Sequence, residues 1–273
     1  MNIGKLIRLN RLFAHPLRRF CSVAVDHFIG YGDGLPSGLR HMTSTLDAVV
    51  AGRPDAVTMH KGIATSAWAP YAGTIPFILQ GTLARVDDTA WEQFASPEDA
   101  VRLGADAYAY ALFVSGPTEA QRLRGLSDVV TAAARYEMPV ICHIYPRTFR
   151  GERPAVSFEP EDIAWAVHCA VEAGADVVKV PYCGTVASYG QIVSDCPVPV
   201  VAAGGPKASS LLAALQMMSE VVASGARGGT IGRNIWGFDT ITPAVLAFKA
   251  VIHDGLDARQ ALAAQGLPLP DLA

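Results

Sequence analysis

One lysine interrupts a run of valines in the segment ADVVKVPYCG, which covers residues 175–184. Such a run is typical of a buried strand, where an unpaired ammonium group is costly. Burial lowers the pKa of a lysine, and the resulting neutral amine can attack a carbonyl carbon to form a Schiff base. The sequence therefore makes Lys179 a candidate nucleophile. The alternative is a lysine that reaches the rim of the fold or pairs with an acid from a neighbouring strand.

Two further side chains close apolar runs and are candidates for proton transfer. Tyr145 lies in HIYPR, at the end of the run that precedes the one holding Lys179. A phenol transfers protons best where a nearby cation lowers its pKa, as an iminium at Lys179 would. Asp26 ends the first apolar run, where it could orient a substrate hydroxyl or assist proton transfer. The alternatives are a packing role for the tyrosine and a turn-capping role for the aspartate.

Glycines follow the last two apolar runs, in GGPK at 204–207 and GRN at 232–234. Glycine allows an anion to approach the backbone closely, and backbone N–H groups beside a cation bind phosphate. Gly204, Gly205, Gly232 and Arg233 are therefore candidate phosphate-binding residues. The alternative is that both glycine segments are simple turns.

Histidines and one more lysine also stand where apolar runs end. His27 and His143 are expected to contact the substrate, and Lys61 is expected to bind an anionic group or to lower the pKa of the candidate nucleophile. A salt-bridged Lys61 is equally compatible with its position. The two histidines could instead surround a divalent metal ion with His60 and Asp26, although the chain has no H-E-x-x-H spacing.

The elements that must position these residues alternate between short β-rich runs and Ala-rich segments of helical period. The predicted strands cover 21–26, 56–60, 75–79, 107–113, 140–145, 177–182, 198–203 and 229–232. Helices are predicted over 118–136, 160–173, 209–224 and 243–253. Eight βα units predict a closed (β/α)8 TIM barrel, in which all the candidate residues face one mouth at the carboxyl ends of the strands. An amphipathic extra helix, with Leu6, Leu9, Leu12 and Phe13 on its apolar side, is expected before the first strand.

Composition narrows the class of protein. The chain has 273 residues, of which 51% are hydrophobic and 17% charged, and this fits one α/β domain over 1–273. A net charge of −3 gives no basic field for nucleic acid or an anionic membrane, so the expected partner is a small molecule. Five cysteines without C-x-x-C spacing favour a reducing compartment, the cytoplasm.

Two segments fit the repeating pattern less well. Residues 81–98 are interpreted as a long connection or an extra helix. The glycines of the first loop, Gly30, Gly32, Gly34 and Gly38, do not have the G-x-G-x-x-G spacing of a dinucleotide site. No cofactor is therefore predicted.

Taken together, these motifs resemble the archaeal-type class I aldolases of the DhnA/DeoC superfamily, over nearly the whole chain. That family includes fructose-bisphosphate aldolases and 2-amino-3,7-dideoxy-D-threo-hept-6-ulosonate synthase. The resemblance rests on the following segments, in the family's order: GKLIRLNRLF, DHF with its following GL, HKGIA, GADAYAY, EMPVICHIYPR, GADVVKVPYCG, CPVPVVAAGGPK and GRNIW.

The resemblance implies a Schiff-base aldolase or transaldol-type synthase that makes or breaks a C–C bond in a ketose, which is expected to be phosphorylated. It implies that Lys179 forms the Schiff base, that Tyr145 is the acid/base and that Asp26 contacts the substrate. It also implies phosphate binding at the glycine segments and a homo-oligomer, commonly a decamer. A related thiolase lacks the tyrosine, so Tyr145 favours aldol chemistry over acyl transfer.

Departures from the family's pattern occur beside the site. Phe28 stands where the family usually has glycine, and the loop from Asp26 is about two residues longer, with Asp33 and Leu35 in place of a tight Gly-Pro. His143 occupies a position that holds an aromatic residue in fructose-bisphosphate members. A sugar-phosphate-binding barrel without turnover and a metal-dependent aldolase therefore remain alternatives.

Overall fold

Parallel strands form the centre of the computed structural model, which describes residues 2–31, 34–151 and 153–269. The strands are β1 (Phe20–Ala24), β2 (Ala56–Met59), β3 (Phe77–Gln80), β4 (Thr82–Ala84), β5 (Trp91–Gln93), β6 (Ala107–Val114), β7 (Val140–Thr148), β8 (Ala155–Val156), β9 (Val177–Val180), β10 (Val200–Ala203) and β11 (Gly228–Ile231). Within these residues, eight strands pair in parallel in the circular order β1, β2, β3, β6, β7, β9, β10, β11, and β11 pairs back to β1. The predicted TIM barrel is confirmed.

Helices cover the outside of the barrel. They are α1 (Ile3–Leu12), α2 (His27–Tyr31), α3 (Met42–Ala51), α4 (Lys61–Ala67), α5 (Pro97–Arg102), α6 (Glu119–Ala134), α7 (Pro160–Glu172), α8 (Val186–Asp195), α9 (Leu211–Ala223), α10 (Arg233–Trp236), α11 (Ile241–Lys249) and α12 (Ala258–Ala264). A π-helical turn, Ala250–Asp254, extends α11. No described helix is long and apolar enough to cross a membrane.

Glycine ends several outer helices and allows the chain to turn into the next strand. Gly104, Gly174 and Gly225 follow α5, α7 and α9, with φ values of 75°, 92° and 89°. These left-handed conformations are costly for other residues but not for glycine. These glycines thus explain why each of these helices ends in the sequence with a glycine shortly before the next strand.

The N-terminal helix lies across the bottom of the barrel, the end remote from the mouth. Leu12 and Phe13 are buried against Phe20 and the lowest interior side chains of the other strands. Lys5 binds Asp176 at 2.9 Å just before β9, which fixes the helix to the barrel. Leu6 was expected on the apolar side, but it is exposed because the buried contact is made by the last turn of the helix.

Two antiparallel hairpins stand at the mouth, and the sequence did not predict either. β4 and β5 pair antiparallel within residues 81–98, where the sequence predicted a long connection or an extra helix. Gly81 begins this hairpin, and a Cβ at that position would overlap the Tyr108 ring, which explains the glycine. β7 continues beyond the barrel and pairs antiparallel with β8.

Candidate active site

A cavity of about 670 Å³ opens at the carboxyl ends of the barrel strands. Nearly all of the predicted site residues line it: Asp26, His27, His143, Tyr145, Lys179, Gly204, Gly205, Gly232 and Arg233. The barrel therefore brings together residues that are more than 200 positions apart in the sequence. This placement is expected for a TIM barrel, because every strand ends at the same face.

Lys179 lies in the wall of the barrel with only 6% of its surface exposed. Its backbone is in register with His143 on β7 and with Val201 on β10. Neighbouring strands are roughly 4.8 Å apart and paired residues point to the same face, so these three side chains emerge side by side. Lys179 also lines the cavity, which makes its amine accessible to a bound molecule.

Tyr145 lies on the same strand face as His143 because the two residues are separated by one position. It is partly buried, lines the cavity and packs on Phe113 with ring centroids 5.4 Å apart. Its phenol therefore lies one layer nearer the mouth than the paired side chains of His143 and Lys179. A substrate attached to the lysine would extend past this phenol.

His143 is 3% exposed and stands next to a cation. Burial lowers its pKa well below the usual value, and the charge of Lys179 lowers it further. Asp26 opposes this effect but does not overcome it. The imidazole is therefore neutral near pH 7, so it can both donate and accept a hydrogen bond.

Asp26 and His27 lie together in the wall of the cavity, with the Asp26 Oδ1 and the His27 Nδ1 3.2 Å apart. Burial alone would raise the pKa of Asp26. The hydrogen bond and charge of His27, together with the charges of Lys179 and His60, instead hold that pKa well below its usual range. The site therefore contains a fixed carboxylate within electrostatic reach of the lysine.

His60 lines the cavity beside this carboxylate. Its Nδ1 lies 3.1 Å from the carbonyl oxygen of Gln80, and its ring packs edge-on to Phe94. Burial lowers the pKa of His60, although Asp26 acts in the opposite direction. The sequence identified His60 only as a possible metal ligand, whereas its position in the wall also allows contact with substrate.

The two glycine segments are joined by one buried amide. Asn234 donates to the carbonyl oxygens of Gly204 and Pro206, at 2.7 and 2.9 Å, and accepts a hydrogen bond from the Ala208 N–H. Its side chain thus holds the loop after β10 against the residues that follow β11. The sequence did not identify Asn234 as important, because its role depends on two loops that meet only in the fold.

Close packing explains two of these glycines. A Cβ at Gly232 would overlap the ring of His27, and a Cβ at Gly204 would contact the backbone of Ile231. Gly205 has a φ of 73°, which other residues rarely adopt. The glycine segments are therefore required by this particular arrangement and are not interchangeable turns.

Lys61 is the one predicted site residue that does not line the cavity. It is exposed at the first position of α4, and its charge adds to the hydrogen bonds from Ser96 that lower the pKa of Asp99 in α5. The structure therefore separates it from Lys179.

The altered first loop is described in part. Leu35 is 54% exposed, Phe28 packs against the core and Asp33 lies outside the described residues.

Residues from the two hairpins complete the cavity. The turn between β4 and β5 contributes Arg85, Asp87 and Thr89, and the turn before β8 contributes Arg153. The first turn is fixed by a buried arginine, because Arg147 binds the carboxylate of Asp88 at 2.6 Å. Sequence periodicity could not predict these residues, since short hairpins interrupt the βα repeat.

The histidines and the aspartate of the mouth are also candidate metal ligands. In the described parts of the chain, no group of three His, Cys, Asp or Glu side chains is arranged to hold a metal ion. His27 pairs with Asp26, and His60 contacts the Gln80 carbonyl oxygen. These contacts give each of the two histidines a defined partner in the barrel wall.

Comparison with known proteins identifies relatives over the whole barrel. A model of the DeoC/LacD family aldolases matches residues 20–237. The 2-amino-3,7-dideoxy-D-threo-hept-6-ulosonate synthase of Halobacterium salinarum is 33% identical, and the match covers 97% of each chain. The 2-amino-4,5-dihydroxy-6-oxo-7-(phosphonooxy)heptanoate synthase of Streptomyces griseus is 30% identical over 92% of this chain and 91% of its own.

A solved structure extends the similarity to three dimensions. An archaeal fructose-1,6-bisphosphate aldolase, with its catalytic lysine bound to the carbinolamine intermediate, superposes with a TM-score of 0.80 at 25% identity. The match covers 91% of this chain and 99% of the other. The similarity therefore extends over nearly the whole chain.

Proposed function

The chain belongs to the DeoC/LacD aldolase family, and from this premise we propose that Lys179 forms a Schiff base with a phosphorylated ketose. Family membership confirms the expected class of enzyme, a Schiff-base-forming carbon–carbon lyase or synthase. The roles of Lys179, Tyr145 and Asp26 in that chemistry are what we propose. The observation that carries it is the position of Lys179, which is buried in the wall and yet lines the cavity.

The first step forms a C–N bond between the lysine and the substrate. Lys179 first releases its ammonium proton to solvent, and its neutral amine then attacks the ketone carbon; the resulting carbinolamine loses water to give an iminium. Asp26 is ionised and lies within electrostatic reach, so it stabilises this positive charge. His143 is neutral and adds no competing cation, because burial and the lysine hold its pKa low.

The second step breaks the bond between the α carbon, which is attached to the iminium carbon, and the β carbon, which carries a hydroxyl group. Tyr145, as a phenolate beside the iminium cation, accepts the proton of the hydroxyl group on the β carbon; an aldehyde leaves, and the bonding electron pair moves into the iminium to give an enamine. Protonation of the enamine carbon and hydrolysis release the ketone and regenerate the lysine. Synthesis follows the same steps in reverse.

The phosphate would bind to the loops after β10 and β11. Gly204 and Gly205 line the cavity beside Arg233, and the Asn234 side chain holds these segments together. The ketone carbon must then lie near the phosphate, because Lys179 is on the strand adjacent to β10. A ketose with its carbonyl next to a phosphorylated carbon satisfies both contacts.

The name of the Streptomyces relative describes such a compound, with a 6-oxo group beside a 7-phosphonooxy group. We extend to this chain the substrate class of an open-chain ketose phosphate with this arrangement. Homo-oligomerisation and a cytoplasmic location also remain part of the proposal. Exposed apolar side chains such as Trp165 and free cysteines support them.

Borohydride reduction tests the proposed chemistry. The protein would be incubated with dihydroxyacetone phosphate, fructose 1-phosphate or fructose, reduced, and weighed intact by mass spectrometry. With the phosphorylated ketoses we expect the protein mass to increase by the mass of one reduced, bound ketose. With fructose, a much smaller fraction of the protein should carry such an adduct. The absence of an adduct with every ketose phosphate would contradict the proposal.

A further inference from the structure

We propose that Arg85 and Arg153 bind a second anionic group, a carboxylate or phosphate, at the end of the substrate remote from the phosphorylated ketone. This inference rests on the proposed function, because it assumes a substrate attached to Lys179. Both arginines line the cavity, and they come from two different hairpins. The aldehyde fragment would therefore be selected for its negative charge.

The position of the two arginines follows from the strand order. Arg85 follows β3 and β4, and β3 lies four strands from β10, directly across the barrel from the proposed phosphate loop. Arg153 lies beyond β7, which is three strands from β11. Lys179 is on β9, between β7 and β10, so a ketose extending from the phosphate loop past the lysine points toward the arginines.

The hairpin that carries Arg85 is held in place by buried contacts. Arg147 is 3% exposed and donates to the Val86 carbonyl oxygen and to Asp88, at 3.1 and 2.6 Å. Arg122 stacks on the Trp91 ring at 4.2 Å and also approaches Asp88. The turn is therefore positioned before a ligand arrives, which reduces the entropy lost on binding.

The charges of the two arginines are available to a ligand. Neither arginine takes part in an ion pair among the described residues. The Nε atom of Arg85 is buried in that part of the chain and has no hydrogen-bond partner there. Asp87 is the nearby carboxylate, but its oxygen accepts hydrogen bonds from the N–H and hydroxyl of Thr89. A buried, unpartnered guanidinium nitrogen at a cavity wall is costly unless a ligand satisfies it.

The size of the cavity allows an anion at each end. Its volume of about 670 Å³ lies within the range of roughly 300–1,000 Å³ that holds small molecules. Guanidinium groups bind carboxylate and phosphate through paired N–H donors, so they suit either terminal group. The arginine pair would thus determine which aldehyde the enzyme releases or accepts.

Borohydride trapping at increasing ketose concentration tests the arginine pair. The probes share a phosphorylated ketone end and differ at the other end: fructose 1-phosphate is uncharged there, fructose 1,6-bisphosphate carries phosphate, and 2-amino-4,5-dihydroxy-6-oxo-7-(phosphonooxy)heptanoate carries a carboxylate. We expect half-maximal trapping of at least one charged probe at a concentration about 10-fold lower than that of fructose 1-phosphate. Comparison of the two charged probes shows which anion is preferred.

Variants connect that difference to the arginines. In Arg85→Gln and Arg153→Gln the preference for the charged probe should disappear, because its half-maximal trapping concentration rises to that of fructose 1-phosphate. Arg85→Lys should retain part of the preference, and Arg124→Gln, on the exposed face of α6, should retain all of it. Equal trapping of all probes by the unmodified protein, or a preference that survives both Gln variants, would overturn the inference. Loss of trapping with every probe would instead overturn the proposed function on which it rests.

Discussion

The floor and the rim of the cavity are built from different backbone. The floor consists of strand ends, where Lys179 and His143 are 6% and 3% exposed and stand in fixed register. The rim consists of hairpins, where Arg153 is exposed and Arg85 is partly buried. Strand ends hold a reacting group within a small range of positions, whereas hairpins can change in length without disturbing the barrel. We therefore assign bond making and breaking to the floor and substrate selection to the rim.

The most severe test of this division replaces the lysine of the floor. Lys179→Ala should lower kcat by more than the roughly 100-fold expected when an acid/base group is lost, because no covalent intermediate can form. Steady-state kinetics with a ketose phosphate measures this loss. Lys249→Ala is the matched control, since that exposed ammonium bonds to the Arg53 carbonyl oxygen far from the cavity. Similar kcat values for the two variants would contradict the assignment of bond making and breaking to the floor of the cavity.

The tyrosine one layer above should have the next largest effect. Tyr145→Phe keeps the packing on Phe113 but removes the hydroxyl, so kcat should fall by about 100-fold while the adduct with Lys179 still forms. Tyr136→Phe is the matched control, because it removes a tyrosine hydroxyl on the outer surface and should leave kcat unchanged. A Tyr145→Phe enzyme with an unchanged kcat would show that another group moves the proton.

The amide that joins the two glycine loops should affect binding more than catalysis. Asn234→Ala leaves the carbonyl oxygens of Gly204 and Pro206 without this donor. We expect KM for a ketose phosphate to rise about 10-fold, with a smaller change for the unphosphorylated ketose. Asn10→Ala, at an exposed bond to Arg18, is the control. An equal effect on both ketoses would contradict a phosphate-binding role for these loops.

The smallest effect concerns the pH dependence of stability. The pKa of His143 is lowered in the folded protein, so the unfolded chain binds more protons below its ordinary value of about 6.5. The stability of the fold with a neutral His143 is therefore fully present above about pH 6.5 and decreases as the pH falls below that value. In His143→Gln the free energy of unfolding should therefore decrease less between pH 7 and 5 than in the unmodified protein.

Urea unfolding at a series of pH values measures this difference. His168→Gln, an exposed histidine on α7, should leave the slope unchanged. Each unit by which the pKa of a group is shifted corresponds to about 1.4 kcal/mol, which limits the size of the effect. A steeper decrease in His143→Gln would contradict a neutral, buried imidazole beside the lysine.

Sequence patterns predicted the floor well and the rim poorly, for a physical reason. Lys179, Tyr145 and Asp26 end strands of a regular βα repeat, and the closed barrel brings strand ends together whatever the loops do. Lys61 also follows a strand, but it begins α4 and turns outward, so position in the repeat was not sufficient. The direction of a side chain at a helix start depends on local backbone geometry that periodicity does not contain.

The rim depends on contacts between segments that are distant in sequence. Arg147 fixes the β4–β5 turn through Asp88, 59 positions away. Asn234 reaches the Gly204 carbonyl oxygen across 30 positions. Neither side chain stands out by type or spacing, because its importance arises only from the partner that the fold supplies. The hairpins themselves are short strands within a helical repeat, which explains why residues 81–98 were predicted only as a long connection or an extra helix.

Peptide mapping of the borohydride-reduced adduct tests the central claim most directly. The protein would be reduced in the presence of dihydroxyacetone phosphate, digested and sequenced by mass spectrometry. The chain offers Lys5, Lys61, Lys179, Lys207 and Lys249 as possible sites of attachment. We predict that the ketose mass is found on Lys179 alone. An adduct on Lys61 or Lys207, with Lys179 unmodified, would contradict the account.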